Sequence, residues 1–312
     1  MKTSTNKQRI IIATLILIAL LTLIFTNYKS YLIDDKLNLL PFLLSILISI
    51  ITSVFFSVKI EINNKFNKTI TIISFISSIF LSYIIIELLN KTTPFLLYPK
   101  RLVFNFIIII FLHLFIYSIF NKISLSIFIS NSIIFILGTA NYIVTCFRGT
   151  PLVPWDILSI KTAMHVAETY TFTFSYYFIL AATLFFLILS IGTKAKYQLK
   201  NNKANTIFRI ITILIILFSI LSFYRTNIID FFDFENNLWK PKDEYRNNGF
   251  LASFLKQSKN LINDKPENYS LEEIENILQE TKDNLYETAY TNDKPNIIVI
   301  MNESYCDLSV NR

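Results

Sequence analysis

Glycine is nearly absent, with four in 312 residues, which excludes the glycine-rich phosphate loops of nucleotide-binding enzymes. Cysteine is scarcer still. Cys146 and Cys306 alone permit neither a disulfide framework nor a multi-cysteine metal site. They could pair with each other only if both face an oxidising compartment, and reduced thiols are the expected state. Charged residues make up 16% of the chain against 53% hydrophobic residues, which rules out an ordinary soluble domain and indicates a membrane protein.

Acidic residues are also unevenly missing. Residues 1–223 hold 19 Lys/Arg against 6 Asp/Glu, whereas residues 224–312 hold 10 against 16. The basic half is the half with the apolar runs. Its charge therefore belongs to loops beside an anionic membrane surface, and no nucleic-acid partner is implied.

The apolar runs lie near Ile10–Phe25, Leu39–Val58, Ile70–Leu89, Leu102–Phe120, Ile123–Val144, Phe174–Ile191 and Ile207–Phe223, about seven candidate transmembrane helices. Only Asn121-Lys122 separates the fourth from the fifth, so a tight hairpin is expected there. The first run has a basic flank but no small-residue cleavage site, so it reads as an uncleaved anchor. With the N-terminus inside, the inner segments carry eleven Lys/Arg and the outer loops seven. That bias places the N-terminus in the cytoplasm and everything after the seventh span outside the cell.

Beyond Phe223, Asp, Glu, Asn and Lys dominate. Residues 224–294 read as an extracellular juxtamembrane linker of two or more helices. Ser270-Leu-Glu-Glu273 forms a capping-box pattern that opens a helix through about Leu285. From Pro295 the character changes again. Ile297–Met301 is an unbroken, β-branched apolar run, the pattern of a strand buried on both faces of a parallel sheet. Such a strand needs neighbours, so residues 295–312 are expected to begin an α/β domain whose remainder lies past Arg312.

Glu303 sits just beyond the carboxyl end of this strand, where open α/β sheets place ligands. A carboxylate held there suits a hard divalent cation such as Mn²⁺ or Mg²⁺, although a solvated residue at a strand end looks the same in sequence. A second candidate is the loop between the fifth and sixth runs. Asp156 can cap a helix that shows Ile157, Ile160, Met164 and Ala167 on one face, suited to a membrane surface. Arg148 could hold a lipid phosphate bidentately, or simply pair with Asp156. Glu87 and His113 are ionisable residues in apolar runs. Glu87 lies close enough to Asn90 to reach the interface, and His113 is expected to make one interhelical hydrogen bond. Trp155, Tyr170, Tyr176 and Tyr177 read as an interfacial aromatic belt.

The stretch Asn296-Ile-Ile-Val-Ile-Met-Asn-Glu-Ser304 resembles the opening strand of the lipoteichoic acid synthase and phosphoglycerol transferase family, within the alkaline phosphatase/sulfatase superfamily. Leu238-Trp-Lys-Pro-Lys-Asp-Glu-Tyr-Arg-Asn-Asn-Gly-Phe250, with Phe254 and Lys265-Pro-Glu-Asn-Tyr269, resembles the family's juxtamembrane region. Phe147-Arg-Gly-Thr-Pro151 with Pro154-Trp-Asp156 resembles a loop in its membrane part. The resemblance implies a bacterial cell-membrane enzyme with an extracellular, Mn²⁺- or Mg²⁺-dependent α/β domain. Its threonine would take glycerol phosphate from a phosphatidylglycerol-like donor for a cell-envelope glycolipid or polymer acceptor. Glu303 would be a metal ligand. The threonine and the remaining Asp and His ligands would lie past Arg312, leaving residues 1–312 inactive alone. Members of the family have fewer spans than the seven read here. A phosphoethanolamine transferase or hydrolase of the same superfamily is the alternative. A transporter or scaffold is a weaker one, because only Gly138 and Pro41 could break a span and neither lies among charges.

Overall fold

The computed structural model describes residues 2–5, 7–61, 64–92, 97–159, 174–198, 202–226, 228–237, 239–259 and 270–283. It is mostly helical. Six helices are long and apolar enough to cross a membrane, the architecture of a helical membrane protein: α1 (Lys7–Thr26), α2 (Leu39–Ser57), α3 (Asn64–Leu89), α4 (Pro99–Phe120), α5 (Ile123–Arg148) and α7 (Lys203–Arg225). A seventh apolar helix, α6 (Tyr176–Gly192), has 17 residues. At 1.5 Å per residue it is about 26 Å long, short of the roughly 30 Å hydrocarbon core.

Helices form here because a backbone in hydrocarbon must satisfy its own N–H and C=O groups. Local chemistry sets their ends. Pro99 occupies the first turn of α4, where its missing N–H costs nothing. Asn121 adopts the left-handed conformation (φ 53°) and ends α4, so Asn121-Lys122 is a hairpin turn. Gly149 (φ 75°) ends α5 in the same way. The Asn202 side chain accepts the Asn205 amide at 3.0 Å and caps α7. Pro41 falls in the first turn of α2 and breaks nothing.

The helices alternate in direction. The near end of the bundle is where α1 begins, and the far end is where it finishes. α6 lies at the centre, packed on α1, α2, α3 and α5, while α4 joins α3 and α5 and carries α7 on its other side. Small residues permit this closeness, as lipid offers no hydrophobic drive between helices. A methyl group on Gly138 would stand 2.6 Å from Leu89 and 2.8 Å from Ile86, so α3 and α5 approach as closely as that glycine allows. Ala181, Ala182 and Thr183 are buried on α6, and Ser74, Ser78 and Ser82 on α3. At the near end β1 (Lys2–Thr5) pairs antiparallel with β4 (Val58–Glu61), and at the far end β2 (Leu32–Ile33) pairs with β3 (Lys36–Leu37).

After α7 come α8 (Ile228–Phe231), α9 (Pro241–Asn248) and α10 (Phe250–Ser258). They belong to the same compact unit as the bundle, residues 1–262. Residues 263–312 form a second unit, whose described part is α11 (Leu271–Asp283). The Ser270 hydroxyl accepts the Glu273 amide at 3.1 Å, the N-cap half of the expected capping box. The strand expected at Ile297–Met301, Glu303 and the surface-helix positions Ile160, Met164 and Ala167 lie outside the described residues.

Candidate functional site

The far end of the bundle gathers most of the buried polar chemistry outside the helix–helix seams. α9 and α10 are short and rich in polar residues, yet Tyr245, Phe250 and Ala252 are at most 1% exposed. They are held in a socket formed by the ends of α3, α4 and α5 and the loop that follows α5.

Four side chains build the socket. The Glu87 carboxylate, at the last turn of α3, accepts the Phe250 amide at 2.9 Å and the Thr92 hydroxyl at 2.5 Å. Phe250 is the first residue of α10, so this carboxylate satisfies an orphan N–H at the positive end of a helix. Asn105 of α4 reaches the other side of the same turn. Its amide donates to the Asn248 carbonyl at 2.8 Å, and its oxygen accepts the Ala252 amide at 3.1 Å. Arg101, one turn earlier, donates to the carbonyls of Asp233 (2.8 Å) and Asn247 (3.1 Å). Asn90 donates to the Tyr245 carbonyl at 3.2 Å.

Gly249 between α9 and α10 makes this fit possible. Its φ of 85° with ψ of 155° lies in a region open essentially to glycine alone, and a methyl group there would meet Asn105 Nδ2 at 2.5 Å. Behind the turn, Glu244 and Lys256 form an ion pair of 3.1 Å with side chains 1% and 9% exposed. Lys256 also donates to the Glu235 carbonyl at 2.7 Å, and Gln257 donates to Glu244 at 3.2 Å. A charge pair taken this far out of water persists only with such additional hydrogen bonds.

The loop after α5 forms the remaining wall. Arg148 grips Asp156 with both ends of its guanidinium (2.8 and 2.7 Å) and also donates to Thr150 Oγ1 and the Pro151 carbonyl. Asp156 lies in a short 3₁₀ turn, Pro154–Ser159, and also accepts the Val153 amide at 2.9 Å. Burial works to raise the Asp156 carboxyl, but the Arg148 and Val153 hydrogen bonds and the Arg148 charge bring it below its ordinary value. Arg148 and Asp156 are thus brought together, and with Thr150, Pro151 and Val153 most of the hydrogen-bonding capacity of both is filled. The Tyr245 hydroxyl donates to the Leu152 carbonyl at 2.9 Å and ties α9 to this loop. Burial, reinforced by the Glu244 and Asp156 charges, raises the Tyr245 phenol above its ordinary value, which keeps it a neutral donor.

His113 lies elsewhere, inside the bundle. Its Nε2 stands 2.9 Å from the Ser78 hydroxyl of α3 and its Nδ1 is 2.9 Å from the Ile109 carbonyl, which assigns the proton to Nδ1. Asn131 of α5 donates to Ser78 Oγ at 2.7 Å and receives the Ser82 hydroxyl at 2.6 Å. This cluster bridges three helices, as buried polar side chains in membrane bundles do.

Among the described residues no three His, Cys, Asp or Glu side chains converge as a metal-binding set, and Glu303 lies outside them. Sequence reasoning noticed Glu87 but passed over Asn105, Arg101, Gly249 and the Glu244–Lys256 pair. One signal was present: Gly249 is one of only four glycines and follows the polar run Arg246-Asn247-Asn248. No family model, curated protein or solved structure matches the chain.

Proposed function

We propose that this chain is the membrane and juxtamembrane part of a phosphoglycerol transferase of the lipoteichoic acid synthase type, carrying glycerol phosphate from a phosphatidylglycerol-like donor to a cell-envelope acceptor. One observation carries the reading. Two stretches that resemble this family from distant parts of the sequence, Phe147–Pro151 with Pro154–Asp156 and Leu238–Phe250, meet at the far end of the bundle, where Tyr245 donates to Leu152 between the two parts of the first. A chance likeness at two unrelated places has no reason to coincide in space.

In this reading α6 spans with the other six helices. The N-terminus is cytoplasmic, the far end faces outward from a bacterial cell membrane, and an extracellular catalytic domain follows α10 in the sequence. Glu303 is proposed as one carboxylate ligand of Mn²⁺ or Mg²⁺. A single carboxylate does not make a metal site by itself. Arg148 and Asp156 bound the donor's approach. For Arg148 to take a lipid phosphate, its pair with Asp156 must first open.

The reading frame that follows codon 312 is the test. A threonine nucleophile with an Asp and His ligand set encoded there supports the reading, and transferase activity should then collapse in Glu303→Gln. A frame without those residues overturns the assignment.

A further inference from the structure

The chain between α7 and α9 stays against the far end of the bundle, whatever reaction the protein performs. Only Thr226-Asn227 separate α7 from α8, which keeps the start of α8 within about 11 Å of the end of a span. Contacts fix the rest of the segment. Phe232 and Phe234 pack on Phe104 of α4, with ring centroids 4.7 and 5.1 Å away. Lys100, in the first turn of α4, pairs with Asp233 at 2.6 Å, and Arg101 donates to the Asp233 carbonyl at 2.8 Å. Residues 228–234 therefore run at the level where α4 begins and α7 ends.

α10 is tied to the same level at both ends. Glu87 accepts the amide of its first residue, Phe250. At its other end the Ser258 and Tyr224 hydroxyls lie 2.8 Å apart, and Lys259 donates to the Thr226 carbonyl at 2.9 Å. α10 thus lies across the bundle and does not point away from it.

Phe231 behaves differently from the aromatic residues beside it. Phe232 and Phe234 are half-buried on α4, whereas Phe231 is 68% exposed, with its ring 5.7 Å from the Lys100 ammonium. Lys100 and Val103 share a face of α4, and Val103 is 52% exposed. Phe231 therefore continues the surface that Val103 turns to lipid. Charge does not oppose immersion at this level. Asp233 is matched by Lys100, and Asp230 has the Lys259 ammonium as a charge neighbour.

We propose that residues 228–234 are an interfacial anchor, with Phe231 inserted between the headgroups and the upper acyl chains of phospholipids in the leaflet at the far end. Aromatic side chains favour that depth. Lys100 is already paired, so the anchor takes zwitterionic and anionic phospholipids alike. It holds α9 and α10 at the membrane surface.

The test is fluorescence of the whole chain in phosphatidylcholine nanodiscs. Phe231→Trp is combined with Trp155→Phe and Trp239→Phe, which leaves position 231 the sole tryptophan. Phosphatidylcholine brominated high on its acyl chains should quench the emission about twofold or more, and more strongly than lipid brominated near the chain ends. Soluble acrylamide should quench it little, and added phosphatidylglycerol should change neither result. Quenching by acrylamide alone would leave the segment in water, open to a protein partner, and overturn the anchor. Stronger quenching by the deep bromines would overturn the interfacial depth, and a requirement for phosphatidylglycerol would overturn the indifference to lipid charge. If the tryptophan variant does not fold, a spin label on Phe231→Cys, with Cys146 and Cys306 replaced, decides the same point. Relaxation by oxygen supports the anchor, and relaxation only by a water-soluble nickel chelate overturns it.

Discussion

Glu87 and Phe250 are 163 residues apart in sequence, yet the Glu87 carboxylate accepts the Phe250 amide at 2.9 Å. A side chain at the end of a membrane helix thereby completes the first turn of a helix beyond the last apolar segment. Replacing Glu87 with Ala leaves the Phe250 amide without its acceptor in a dry site, while the Thr92 hydroxyl keeps the carbonyl of residue 87 at 3.0 Å. The cost is about 2 kcal/mol, within the range for a buried donor left unsatisfied. Hydrogen exchange over 250–258 should accelerate at least tenfold, with exchange in α2 unchanged.

Gly249→Ala places a methyl group against Asn105 and forces a non-glycine residue into a glycine-only conformation. Destabilisation of about 2 kcal/mol or more is expected from the backbone alone. Asn105→Ala in the same chain relieves the clash but keeps the backbone strain and loses the hydrogen bonds to Asn248 and Ala252. The diagnostic result is a double variant less destabilised than the sum of the two single variants.

Two of the ion pairs at the far end should differ sharply. Lys100–Asp233 joins side chains 56% and 63% exposed at 2.6 Å, and a double-mutant cycle should return about 0.2–1 kcal/mol. Glu244–Lys256 is buried, so Lys256→Met strands a carboxylate and should cost about 3–5 kcal/mol. Replacing both partners with apolar residues of similar volume should recover most of that loss.

Lys194 gives a pH signature of known sign. Burial, then the charges of Arg9 and Lys196, depress its folded-state value to about 8, below the ordinary 10.5, so the unfolded chain holds the proton more tightly. Where the unfolded state binds more protons, stability rises with pH. The melting temperature of the wild type relative to Lys194→Met should therefore climb between pH 8 and about 10.5 and flatten below pH 8. A falling difference would contradict the depressed value.

Sidedness can be read chemically. On the proposed topology, with Cys146 and Cys306 replaced, a cysteine at position 263 should react with an impermeant thiol reagent in intact cells, since the Lys/Arg bias favours a near end that faces inward. Labelling only after lysis would reverse the orientation.

The seven helices were legible in sequence because hydrocarbon length and hydropathy act locally. Even the two-residue hairpin at Asn121-Lys122 and the Ser270 cap could be read from neighbouring residues. The far-end socket was not. Arg101 was one cation among the seven of the outer loops, and Asn105 lies inside an apolar run with nothing beside it to mark a role. Their partners are backbone groups of Asp233, Asn247, Asn248 and Ala252, and no local pattern announces a backbone group more than 100 residues away. Glu87 was visible as an acid in an apolar run. Its nearness to Asn90 favoured an interfacial role, whereas the structure buries it to 1% exposure. Arg148 and Asp156 were legible both as a pair and as a lipid site, since one guanidinium fork serves either partner.

The short helix α6 packs on four longer ones, α1, α2, α3 and α5. Enclosure by protein frees it from matching the bilayer, so its roughly 26 Å carries none of the mismatch strain that lipids would impose. Neighbouring side chains, and not lipid, then set the length this helix needs.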